Sequence, residues 1–359
     1  RVVVLERESH PGYHTTGRSA ALYSQTYGNA AIRSLTRASW SFFNEPPEGF
    51  TVTPLLSARG AVFVGEDGDQ SLMHDMLSQM QAQVPSVHWV DQTALRKLIP
   101  ALRPSFGHGA VFEPDAMDMD VNALHQGFLR GGKSHGATLH CDAPVTALQK
   151  APEGGWMIRT PEQVFHADVV VNAAGAWCDE LARLAGVAPI GLVPKRRTAF
   201  LCQAPAGVNI ENWPAVIDAR ERFYFKPDAG LLLMSPANED PMVPQDVQAE
   251  ELDVALAVDR IENATTLQIR RIQRKWAGLR SFVADKTPVV GFDTRAQGFF
   301  WLAGQGGYGI QTAPAMGLLA AALVGGEDLP DSLLEQGVSA DALAASRATL
   351  ERRHFVPTV

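Results

Sequence analysis

The stretch Gly298-Phe299-Phe300-Trp301-Leu302-Ala303-Gly304-Gln305-Gly306-Gly307-Tyr308-Gly309-Ile310-Gln311-Thr312 runs from a hydrophobic strand into four glycines within the six positions Gly304 to Gly309. Beyond it, small residues from about Ala313 read as a helix. A tight turn that only packs helix on strand would need fewer glycines. A helix start presents unpaired backbone N–H groups and partial positive charge, so this turn is an anion-stabilising site.

Outward from it, Val169-Val170-Val171-Asn172 is a second strand, running into the small residues Ala173-Ala174-Gly175-Ala176, against which a ligand can approach the backbone closely. Trp177 to Ala185 reads as the next helix, stopped by Gly186. Upstream, Asp120 caps a helix with Val121, Leu124, Phe128 and Leu129 on one face, ended by Gly131-Gly132. Val2 to Leu5 is branched and apolar throughout, as in a parallel strand buried on both faces, and it stops at Glu6-Arg7. In a dinucleotide-binding βαβ unit the second strand ends in such an acid, which bonds the adenosine ribose; the glycine turn of that unit would precede Arg1. Strands and helices alternate, so these segments read as doubly wound α/β. Pro46 to Gly109 and Ile190 to Phe282 differ, with more proline and period-two alternation; Phe223-Tyr224-Phe225 and Leu231 to Met234 are strands there. Within the second region, Glu250 to Ala264 is an amphipathic helix placing Leu252, Ala255, Leu256 and Ile261 near one face.

A length of 359 residues accommodates two domains at roughly 100–200 residues each. Charged residues make up 19%, below the ~25% usual for soluble domains, and the net charge is −8 with no basic stripe. Nucleic acid and anionic lipid surfaces are poor partners for such a chain. The longest uncharged stretch, Ala296 to Gly326, is interrupted by glutamines, glycines and Pro314 and falls short of the ~20 apolar residues of a membrane span. Cys141, Cys178 and Cys202 form no CxxC pair, so neither a disulfide framework nor a zinc site is indicated, and a reducing cytoplasm fits.

Among candidate site residues, His14-Thr15-Thr16-Gly17-Arg18-Ser19-Ala20-Ala21 suits a loop lying against a flat ring and its ribityl-phosphate tail, or equally a polar loop entering a helix capped by Thr16 or Ser19. A reduced flavin is an anion of the kind the glycine turn would favour. His10 and His14 have helical metal-pair spacing, but Pro11 and Gly12 between them argue against a helix and a metal. Lys195-Arg196-Arg197 and Arg280 stand among apolar neighbours, where a guanidinium needs a partner: an internal acid, or a substrate carboxylate matching its planar fork. Tyr27 and Tyr224 are core aromatics or hydroxyl donors, and Arg270, Arg271, Arg274 and Lys275 read as a solvated strand edge. GxSxG, P-loop and HExxH motifs do not occur.

In combination, Val2–Arg7, Thr15–Ala21, Val169–Trp177, Pro194–Arg197, Phe223–Gly230, Trp276–Asp285 and Phe299–Thr312 resemble the D-amino acid oxidase superfamily of FAD enzymes, from Arg1 to about Leu323. Within that superfamily they are most similar to bacterial FAD-dependent D-arginine dehydrogenases. The resemblance implies a doubly wound, Rossmann-like FAD domain over 1–45, 118–189 and 283–345, with an inserted substrate domain of mixed or antiparallel sheet over 46–117 and 190–282. It further implies roughly 25 preceding residues holding the first strand and a GxGxxG turn. The activity implied is oxidation of a D-amino acid by noncovalent FAD to an imino acid, then 2-oxo acid and ammonia, with quinone, dye or oxygen as acceptor and a cytoplasmic location, peripheral to the inner membrane at most.

By the same resemblance, Glu6 and Arg7 match the adenosine-ribose end and Val145 an adenine-side backbone contact. Thr15, Thr16, Gly17, Arg18, Ser19, Ala20, Ala21 and Leu22 match the loop around the flavin, with Ala174, Gly175 and Trp177 on the cofactor side. Gly304, Gly306, Gly307, Tyr308, Gly309, Ile310 and Gln311 match the turn beside the isoalloxazine. Arg197, Tyr224 and Arg280 match substrate-carboxylate positions, Tyr27 and Gly307 line the pocket, and Tyr27, Tyr224 and Arg280 are the catalytic candidates. The arginine-specific pattern has a histidine where this chain has Leu22 and a glutamate where it has Ala61, while Ala215 and Ile217 alter the pocket volume. Without that buried anion the expected substrate has a neutral or apolar side chain. A secondary amine such as sarcosine or proline, a 2-hydroxy acid, and a flavin-free binding or structural protein are the alternatives.

Overall fold

A computed structural model describes residues 1–204 and 207–350. The segments that alternate strand and helix form parallel pairs. Val3–Leu5 runs parallel to Thr138–His140, and Val170–Asn172 runs parallel to Phe299–Ala303, whose other edge takes Val289–Phe292 antiparallel. An antiparallel meander, Ala147–Lys150, Trp156–Arg159 and Val164–Ala167, packs beside them. Trp156, Phe299 and Trp301 fill one side of this sheet, and Phe300, Leu319 and Met316 the other, so Phe299–Ala303 is buried on both faces as its unbroken apolar run requires.

The first strand departs from that expectation. Val2 is 60% and Val4 47% exposed, because the strand has one ladder partner among the described residues and only Leu5 reaches the Trp156 cluster. The helix capped by Asp120, which accepts from Ala123 N at 2.8 Å, also differs: it continues through Gly131-Gly132 to Ser134. A glycine weakens a helix by only about 1 kcal/mol. The chain leaves the helix where Gly136 takes a φ of +84°.

Strands within Ala61–Glu113 and Val193–Phe282 build a nine-stranded, mainly antiparallel sheet among the described residues. Its organising pair is the ladder between Val193–Cys202 and Ile272–Phe282. The helix Glu251–Ala264 packs on this sheet through Val254, Ala257, Ile261 and Ala264, not through the expected leucines; Leu252 is 66% exposed. The reason is Asp253, which is drawn inward by the Thr198 hydroxyl at 2.6 Å and Arg196 at 3.0 Å and rotates the helix about its axis. A small sheet of Leu22–Tyr23, Met117–Met119 and Leu56–Ala58 bridges to the glycine-turn region.

Candidate active site

In the Val193–Cys202/Ile272–Phe282 ladder, Lys195 stands opposite Arg280 and Arg197 opposite Gly278. Directly opposed residues share a face, and so do residues two apart on one strand, so Lys195, Arg197 and Arg280 project together. Arg196, pointing the other way, is consumed by Asp240, Glu250 and Asp253 as a structural ion cluster. The two arginines of the shared face are both held by fixed partners. Arg197 Nε donates to Asn238 O at 2.8 Å and its guanidinium lies 6.0 Å from the Tyr224 ring, while Arg280 Nη2 donates to the Tyr27 hydroxyl at 2.8 Å. Burial and the neighbouring Arg280 lower the Arg197 pKa; for Arg280 burial acts the same way, but Tyr27 and Tyr224 outweigh it and raise the value.

The glycine turn meets this cluster directly. A Cβ on Gly307 would stand 1.6 Å from Arg280 Nη2, and one on Gly306, where φ is +53°, would stand 2.4 Å from the Phe282 ring. The turn therefore packs against Arg280 and Phe282 because Gly307 and Gly306 carry no side chain. Tyr308 meets the Tyr27 ring edge-on, with centroids 4.7 Å apart, and burial raises its pKa. The following helix starts at Gly309, earlier than the small-residue run suggested, and reaches Gly325. No side chain caps its start and no acid stands in its first turn, so its donors face the turn. Gln311 is turned inward: its Nε2 donates to Thr36 Oγ1 at 2.7 Å and its Oε1 accepts from Ser24 N at 3.2 Å.

Sequence reasoning missed two acids. Glu113 is 1% exposed and accepts from Ser24 Oγ at 2.8 Å, Gln25 N at 3.1 Å and Thr26 Oγ1 at 2.8 Å, fixing the segment that presents Tyr27. Burial raises its pKa. Glu239 meets Lys195 at 3.0 Å and Arg197 at 3.3 Å. An acid ending the apolar run Ala110-Val111-Phe112 was the available signal for Glu113. Ala61, opposite Glu113 in its ladder, is fully buried with Ala116 and Ala215 beneath Leu22 and Ile217.

Of the remaining cofactor candidates, Thr15 and Trp177 lie beside the strand Ile272–Phe282. Thr16–Arg18 is a single 3-10 turn rather than a helix entry, with neither Thr16 nor Ser19 acting as a helix N-cap; Gly17 N bonds back to Gly12 O at 2.8 Å. Thr15 Oγ1 donates to Leu279 O at 2.9 Å, and a small cleft runs between His14, Thr15, Arg18, Trp177 and Leu279. Arg7 lies over the Trp177 ring at 4.9 Å, and His14 packs on the same ring at 4.7 Å while its Nε2 meets Glu8 at 2.9 Å. Glu6 accepts from Glu8 N at 2.9 Å. Ala20 and Ala21 are half-buried, Val145 and Ala174 pack on the Trp156 cluster, and Gly175 opens the turn before Trp177. Arg18 is committed to the protein: it donates to Val247 O and Ala277 O, both at 3.0 Å, and pairs with Asp246. An uncapped helix start behind a glycine-rich turn fits the electron-rich edge of a flavin ring.

No described helix is long and apolar enough to cross a membrane. Residues 1–323 match the family model described as FAD dependent oxidoreductase. Hydrogen cyanide synthase subunit HcnC of Pseudomonas aeruginosa is 26% identical over 270 residues, 74% of this chain and 63% of that protein, so the chain spans less than two thirds of this relative's length. Among solved structures, glycine oxidase from Geobacillus kaustophilus superimposes with a TM-score of 0.80 at 20% identity, covering 94% of this chain and 92% of that one. L-proline dehydrogenase from P. horikoshii gives 0.76 at 20% identity, covering 94% and 91%. At these identities the structures establish the shared fold.

Proposed function

Because the chain belongs to the FAD dependent oxidoreductase family, we propose that it dehydrogenates a D-amino acid with a neutral or apolar side chain. The imino acid formed is hydrolysed to a 2-oxo acid and ammonia. The observation that carries this reading is the pair Arg197 and Arg280 projecting from one ladder against the glycine turn, with Tyr27 bonded to Arg280.

Bound FAD supplies the hydride acceptor for the substrate α-carbon. The protein's part is orientation. Arg197 and Arg280 take the carboxylate as a planar pair of forks, and the Tyr27 hydroxyl, which accepts from Arg280, keeps its own proton to donate to the same group. The ring of Tyr224 covers Arg197. Two fixed points on the carboxylate leave the α-carbon a narrow range of positions, a contribution of the kind that dominates when no acid or base must act. At Ala61, beside Ala116 and Ala215, there is no acid for a cationic side chain, and the two acids nearby are already engaged, Glu113 by Ser24, Gln25 and Thr26 and Glu239 by Lys195 and Arg197. Burying that side chain unpaired is unfavourable.

The test is a panel of D-amino acids with a dye acceptor and an ammonia assay. D-Met, D-Leu and D-Phe should exceed D-Arg and D-Lys in kcat/KM by about tenfold or more, the effect of one unpaired buried charge. D-Arg or D-Lys in first place overturns the side-chain assignment. Turnover without stoichiometric ammonia would instead indicate a secondary amine or a 2-hydroxy acid, the former in line with the fold shared with L-proline dehydrogenase.

A further inference from the structure

Glu239 has no part in the chemistry above, yet it stands at its centre. Its Oε1 faces the arginines, 3.3 Å from Arg197 Nη2 and 3.9 Å from Arg280 Nη1. Its Oε2 faces two lysines, 3.0 Å from Lys195 Nζ and 4.0 Å from Lys286 Nζ. Both lysines also lie over the Phe282 ring, at 5.3 and 5.9 Å, and that ring packs against Tyr308. The lysines therefore border the pocket beside the glycine turn. Glu239 is not a drifting surface acid. The preceding residue is pinned to the ladder, since Asn238 O accepts from Arg197 Nε at 2.8 Å and Asn238 Oδ1 from Thr198 N at 2.9 Å.

The charges divide into two pairs. A substrate carboxylate engages the arginines, and the lysines, aligned on the same side, would suit a second carboxylate three or four bonds away. Glu239 already holds that place. We infer that Glu239 is the site's built-in second carboxylate and determines specificity, restricting substrates to those with a single carboxylate by occupying the lysine pair and repelling a side-chain carboxylate. Like charges brought together in a partly desolvated site disfavour binding, and removing one of them leaves cations in want of an anion. This inference rests on the amino acid reading given above.

The experiment uses the FAD-loaded enzyme and its Glu239→Gln variant. It compares kcat/KM for D-glutamate against D-methionine, and the dissociation constants of glutarate and butyrate followed by perturbation of the flavin absorbance. The wild type should disfavour D-glutamate, and Glu239→Gln should raise the D-glutamate to D-methionine ratio by about tenfold or more while tightening glutarate more than butyrate. Lys286→Gln, at an exposed position that folding tolerates, should move the ratio about two- to fivefold the other way by leaving Glu239 less neutralised. A wild type that prefers D-glutamate overturns the inference, as does a ratio that stays within about twofold in both variants. An enzyme that binds neither butyrate nor glutarate refutes the amino acid reading itself, and this inference with it. Binding of both with an unmoved ratio refutes this inference alone.

Discussion

Gly307→Ala places a methyl group 1.6 Å from Arg280 Nη2, 2.1 Å from Cζ and 2.5 Å from Nε. Carbon contacts settle at about 3.5 Å, so the guanidinium must withdraw by about 2 Å. It can do so, because the obstacle is the far end of a long side chain and not backbone. Withdrawal breaks the 2.8 Å bond to the Tyr27 hydroxyl and removes one fork from the carboxylate. A hydrogen bond to a charged group contributes about 1.5–3 kcal/mol, which is a loss of about 10- to 150-fold in kcat/KM. Most of it should appear in KM, since the carboxylate is held equally in ground and transition states. The melting temperature should change little. Steady-state kinetics on the best D-amino acid, alongside thermal melting and FAD content, checks this, and Tyr27→Phe serves as the milder comparison. A Gly307→Ala enzyme with intact FAD and kcat/KM within about twofold of the wild type would refute the contact between the turn and Arg280 as the organiser of the site.

Two further outcomes concern stability. Glu113→Ala leaves Ser24, Gln25 and Thr26 without their shared acceptor, and denaturant unfolding should show a loss of roughly 2–4 kcal/mol, with Gln milder than Ala; an unchanged midpoint would deny the network its role. At Asp285, burial acts to raise the carboxyl pKa, but Arg347 at 2.8 and 2.9 Å and Thr349 at 2.6 Å prevail and lower it. A depressed folded pKa stabilises above the ordinary carboxylate value of about 3.9 and ceases to do so as pH falls through the folded value. Asp285→Asn should therefore cost about 1–3 kcal/mol at neutral pH and flatten the acid limb of the stability profile below about pH 4, read from urea midpoints; parallel profiles would contradict this.

What could be read from the sequence was decided by local pattern. The strand Phe299–Ala303, its glycine turn and the helix beyond it form one contiguous signal, and the run Lys195-Arg196-Arg197 set among apolar neighbours marked the arginines. Where a distant residue intervened, pattern misled. Leu252 and Leu256 are the obvious apolar stripe of their helix, but Asp253 turns inward to meet Arg196, a residue on a strand far back in the chain. Val2 to Val4 have the composition of a central strand, while burial depends on neighbours that composition does not specify. Glu113 and Ser24 are 89 positions apart and Glu239 and Lys195 are 44 apart, so neither acid announces its partner. The substrate side was legible as a set of cations; what balances them was not.

The ladder that carries Lys195, Arg197 and Arg280 has a consequence for how the site can change over time. Its register shift lies at Leu201/Cys202, beyond these residues, so their spacing is a property of uninterrupted backbone pairing. Point substitutions on the outward face leave that spacing untouched, whereas inserting or deleting one residue in either strand would carry an arginine to the opposite side of the sheet. The two strands should thus accept diversity in composition and none in length. Room for new specificities lies instead in substitution at Glu239, while the length of its segment is fixed as well, because Asp240–Pro241 pairs with Lys195 and Arg196.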